Sequence, residues 1–129
     1  MLEKARDLQP KLSAARWGCA SAYNMLDRLE DAAVEYKSLV EDFPENARYK
    51  FEYGQVLVKL WADNDPVADL RVAVEYIGEA MKSTSEFDHF LLTYAAVLKR
   101  AGDEVEARVA LASYKEKFPH DKEAVWEEL

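Results

Sequence analysis

Two prolines 34 residues apart, Pro10 and Pro44, constrain this chain more than any other feature. Each follows one run of helical periodicity and precedes another. Between them Ala20, Tyr23, Ala32 and Tyr36 form a ladder of small and aromatic residues. A fixed period of this length with such a ladder marks a helical solenoid, in which no unit buries its apolar face alone. The fold class expected is therefore all-α, a right-handed superhelix of antiparallel hairpins.

The first unit reads as two helices. Leu12, Ala15, Cys19, Ala22, Tyr23 and Leu26 recur at helical spacing, and that stripe is expected to be the buried face. Asp27-Arg28 is a turn, and a second helix runs from about Glu30 to Asp42, with Ala33, Tyr36, Leu39 and Val40 on one side. It ends before Pro44, because proline disfavours helical backbone in the residue before it. This unit resembles a tetratricopeptide repeat, in which small or apolar residues sit at set offsets in both helices and a proline closes the unit. Cys19, Ala20, Tyr23, Ala32, Tyr36, Leu39 and Pro44 occupy those offsets in order. The resemblance departs from the family at Arg16, where the family carries tryptophan (Trp17 is one place on), and at Asp27, which replaces the turn glycine.

The same pattern continues along the chain. Tyr53, Gly54 and Leu57 open a second unit, and Gly54 implies close approach of a partner helix, since glycine within a helix costs about 1 kcal/mol against alanine. Tyr94, Ala95, Leu98, Gly102, Ala107, Leu111 and Tyr114 make a third, and Lys117-Phe118-Pro119 echoes Asp42-Phe43-Pro44. Pro44 and Pro119 stand 75 residues apart, seven more than two periods. The surplus is placed near 61–67. Asp65-Pro66 reads as a helix start there, and the insertion is expected to lengthen the second helix of its hairpin by about 10 Å. Residues 1–129 thus divide into a partial repeat or cap helix (1–9), repeats at 10–44, 45–85 and 86–119, and a partial cap helix at 120–129. The half-units imply caps or excision from a longer array. The apolar residues Leu2, Leu8, Val125 and Trp126 on them would suit self-association.

Chemistry is sparse. Glycine-rich phosphate loops, paired zinc histidines and Cys-x-x-Cys are lacking, and His89 and His120 are 31 residues apart. No catalytic residue, metal site or cofactor is expected, and the carboxylates read as solvated helix faces. A formal charge of −8 disfavours nucleic acid. No stretch has the ~20 apolar residues of a membrane span. The lone cysteine, Cys19, beside Gly18 and Ala20, is read as a buried inert thiol, and with no disulfide to form the chain suits a reducing, cytoplasmic setting.

The resemblance implies a non-catalytic protein-interaction module, with a concave groove lined by first-helix side chains. These are Trp17, Ser21, Asn24, Arg48, Phe51, Gln55, Lys59, His89, Leu92, Lys99 and Arg100. Trp17, Phe51 and Leu92 would be apolar anchors. Arg48, Lys59, Lys99 and Arg100 outnumber the single carboxylate Glu52 and would form a basic rim. Such a groove favours a peptide or helix with apolar side chains and acids nearby. It lacks the Lys and Asn clamp with which family co-chaperones grip an acidic C-terminus: Trp17, Ser21, Glu52, His89 and Thr93 stand in those places. The stretch Phe51-x-Tyr53 with Leu57-Val58-Lys59 and a polar insertion is also similar to the small tetratricopeptide adaptor of mitochondrial fission. The alternative role is a structural spacer or self-association segment.

Overall fold

The computed structural model describes the backbone of residues 2–65 and 69–129 and the side chains of 12–65 and 69–129. Among the described residues six α-helices follow one another: α1 (Leu2–Met25), α2 (Leu29–Asp42), α3 (Ala47–Ala62), α4 (Leu70–Ser83), α5 (Leu91–Arg100) and α6 (Glu104–Lys117). Single 3-10 turns lie at Asp88–Phe90 and Trp126–Glu128. The all-α expectation holds, with no strand among the described residues.

The three first helices close in one way. Arg28 N–H bonds Tyr23 O, Asp65 N–H bonds Leu60 O, and Asp103 N–H bonds Leu98 O, at 2.8, 3.0 and 3.0 Å. In each case the residue before the donor is left-handed: Asp27 (φ 61°), Asn64 (φ 61°) and Gly102 (φ 87°). This is the Schellman closure, which satisfies helix-end carbonyls and reverses the chain within a few residues. Asp27 therefore holds at the end of α1 the left-handed position that Gly102 holds at the end of α5. The second helices end alike as well. Phe43 (φ −130°, ψ 67°) and Phe118 (φ −128°, ψ 65°) precede Pro44 and Pro119 in nearly the same conformation. Side chains cap α3, α4 and α6: Asn46 accepts from Tyr49 N–H, Asp69 from Arg71 N–H and Asp103 from Glu106 N–H.

Alanines mark the close contacts. Ala20, Ala32, Ala73, Ala95 and Ala107 are all fully buried. A Cβ on Gly54 would overlap Ile77 Cγ1 and come within 3.1 Å of Ala73 O, so α3 and α4 do approach as closely as the sequence implied. One core unites α1 to α4 around Tyr36, Leu39 and Val56. A second joins α5 and α6 through Leu98 and Leu111. Between them Phe51, Ile77, Ala80 and Phe87 form a smaller cluster.

Several expectations are corrected. Helix α1 runs unbroken through Pro10, so 1–9 is no separate cap helix; a long helix can forgo the one hydrogen bond that proline removes. The seven extra residues do not lengthen the second helix. α2, α4 and α6 each have 14 residues. Met25, one period on, corresponds to Lys59, and α3 continues to Ala62; three surplus residues extend the first helix and the rest lie before α4. The N-cap of α4 is Asp69 rather than Asp65, and 66–68, with Pro66, fall outside the described residues. Residues 120–129 make turns and one 3-10 turn, too short a segment to nucleate an α-helix alone. There Val125 and Trp126 are half-buried rather than exposed, while the side chains of Leu2 and Leu8 lie outside the described residues. Most of the α1 stripe expected to be buried faces out: Leu12 is 61% and Leu26 69% exposed, and Cys19 is exposed too. Ala20 and the half-buried Arg16, Trp17 and Tyr23 form the packed side instead.

Candidate functional site

Two polar rungs define the face formed by α1 and α3. Trp17 Nε1 donates to Glu52 Oε2 at 2.5 Å, and Lys59 Nζ donates to Asn24 Oδ1 at 2.9 Å. Both pairs are 35 residues apart. That constant offset requires α1 and α3 to run parallel, with α2 packed on both. Trp17, Ser21, Asn24, Gln55 and Lys59 thereby lie along one surface.

Glu52 is the centre of this surface, with its side chain 17% exposed. Besides the Trp17 indole it takes the Tyr36 hydroxyl from α2 and, at 3.6 Å, the Arg48 guanidinium. Burial, and after it the Glu52 charge, holds the Tyr36 hydroxyl well above the usual tyrosine range, while a hydrogen bond with Ser21 pulls the other way. One carboxylate thus joins α1, α2 and α3. In the sequence Glu52 is only the odd carboxylate of the expected groove. Its signal was that it stands alone on an otherwise cationic first-helix surface.

The basic rim does not form as expected. Arg48 bonds Glu86 Oε1 at 2.6 Å as well as approaching Glu52, so its charge is answered within the chain. Lys99 Nζ donates to Trp126 O (2.9 Å) and Leu129 O (3.4 Å) and sits 4.7 Å over the Trp126 ring. Arg100 and His89 are exposed. The anchors divide too. Trp17 is half-buried and available at the surface, whereas Phe51 is 6% exposed, stacked on Phe87 at 4.1 Å and edge-on to Phe90 at 4.9 Å. Phe51 is core and cannot anchor a ligand without unpacking that stack. Leu92 packs in the α5–α6 core with Trp126 and Leu129 beside it. The site residues brought together are consequently on α1 and α3, while on α5 Lys99 holds the C-terminal segment.

A different concavity lies on the other side of α3. Ala33, Val34, Tyr53, Leu57, Val72 and Tyr76 line a largely apolar cleft of about 660 Å³ between α2 and α4, with Glu30, Lys37, Asp65 and Asp69 at its edge. No helix among the described residues is long and apolar enough to cross a membrane.

No known protein-family model matches this sequence. Nor does any curated protein.

Proposed function

We propose that this chain is a non-catalytic protein-interaction module of tetratricopeptide type, with three hairpins stacked as a right-handed superhelix. It would bind a peptide or helix of a partner protein across the face of α1 and α3. The observation that carries this reading is the parallel pair of first helices, which presents Trp17, Ser21, Asn24, Gln55 and Lys59 side by side. Equal second helices, repeated Schellman turns and buried alanines at the seams support the repeat assignment. The surface is mixed rather than basic, because Arg48 is answered by Glu52 and Glu86. A partner segment with one apolar side chain against Trp17 and polar groups for Asn24 and Gln55 fits it better than a run of acids. Neither cofactor nor nucleic acid enters this reading, and the setting proposed is cytoplasmic.

The test is the affinity of an isolated partner for the chain and for Gln55→Arg and Lys59→Glu, with Val109→Glu on exposed α6 as control. Both groove changes should weaken binding tenfold or more, about 1.4 kcal/mol, with the control unaffected. Unchanged affinity in both groove variants overturns the reading.

A further inference from the structure

The side of α1 turned away from α2 carries no charge over four turns. Every exposed residue from 12 to 26 is uncharged, in a chain one-third charged. Leu12, Met25 and Leu26 are 61, 85 and 69% exposed. Leu12, Ala15, Cys19, Ala22 and Leu26 alternate steps of three and four, the spacing of a seam between two helices. One 34-residue period on from Cys19, Ala22 and Leu26 stand Tyr53, Val56 and Leu60 of α3. There the same face is 8, 0 and 6% exposed, in the core shared with α2. The α1 stripe is therefore built like a surface that a second helix covers.

The chain's other end does not offer that cover. Where α2 buries Leu29 and Val40, α6 has the exposed charges Glu104 and Lys115, 75 residues on. Trp126 closes the end of the α5–α6 core, with Arg108 4.0 Å over its ring. Head-to-tail stacking of copies would thus set α1's apolar face on charged groups. Among the described residues, the uncharged helix face that matches it is that of α1 itself. Over residues 12–26, two chains of charge −8 can meet with no like charges among the exposed residues.

We propose that two copies of this chain pair through α1, back to back, about a two-fold axis beside Cys19, which lies midway between Leu12 and Leu26. Such a contact is isologous, so it closes at a dimer and removes both apolar stripes from water together.

Sedimentation of the whole chain over a concentration series should show a monomer–dimer equilibrium. Ala22→Glu and Leu26→Glu, at exposed positions, should each raise the dissociation constant at least tenfold with the helical circular dichroism unchanged, while Val109→Glu leaves it as it was. A short bis-maleimide should link two chains through Cys19, and the linked band should be absent in Cys19→Ser and diminished in Ala22→Glu. A chain that stays monomeric throughout overturns the proposal. So does a dimer indifferent to both glutamates, or an open series of higher oligomers.

Discussion

The Trp17 indole N–H and the Glu52 carboxylate meet at 2.5 Å across 35 residues of sequence, in the same place where the Tyr36 hydroxyl and Arg48 also converge. Removing the carboxylate leaves the half-buried Trp17 indole and the hydroxyl of the buried Tyr36 without that acceptor. Glu52→Ala should lower stability by about 2–3 kcal/mol in urea denaturation, and Trp17→Phe by about 1–2 kcal/mol. The double variant should lose less than the sum, because the two changes delete one interaction. The exposed Arg48 contributes little by comparison.

Alkaline pH should destabilise the fold through Tyr36. Its folded pKa is raised by burial and then by Glu52. The unfolded chain therefore releases this proton first, and the stabilisation is complete below the unfolded value of about 10 and lost as pH rises beyond it. Tyr53 and Tyr94, also raised chiefly by burial, act in the same direction. Denaturation midpoints between pH 8 and pH 11, on the scale of that value, should fall steadily at the upper end. Tyr36→Phe should flatten the fall without abolishing it.

The glycines should respond in opposite ways. Gly54→Ala forces a methyl into Ile77 and the Ala73 carbonyl and should cost about 1–3 kcal/mol. Gly18→Ala meets nothing within 4 Å on an exposed helical surface and should stabilise by about 0.5–1 kcal/mol. Asp27→Gly, at φ 61°, should also gain several tenths of a kcal/mol, roughly the relief of left-handed strain. Thermal midpoints of the three variants test the ordering.

The C-terminal segment should be needed by the last hairpin. Trp126 packs against the α5–α6 core and lies under Lys99 and Arg108. Trp126→Ala should lower stability by about 2 kcal/mol, less than a fully buried tryptophan because the ring is only half-covered. Hydrogen exchange should quicken in α5 and α6 and stay unchanged in α2.

The sequence made the hairpins legible because their signals are local. Small residues at Ala20, Ala32, Ala95 and Ala107, the turn at Gly102 and the stop before Pro44 each act within a few residues. The fate of α1 was harder. Leu12-Ala15-Cys19 and Arg16-Ala20-Tyr23 are both helical stripes, and periodicity does not say which one meets α2. Phe51 was misplaced for another reason. It is covered by Phe87 and Phe90, from a connection whose path no helical repeat dictates. The basic rim dissolved because counting cations ignores where Glu86 and the Trp126 carbonyl will come to lie. The seven-residue surplus was placed near 61–67 but assigned to the wrong element, since periodicity does not say which helix takes it up; three of its residues went to α3.

The three matched Schellman turns give this chain natural joints. Cutting after Asp27, Asn64 or Gly102 yields fragments whose ends share one backbone conformation and one bonding pattern. A unit spliced in or out at these points would present the same helix-end conformation at each joint. The prolines keep time along the sequence, but the interchangeable cassette runs from turn to turn. It comprises the second helix of one hairpin and the first helix of the next.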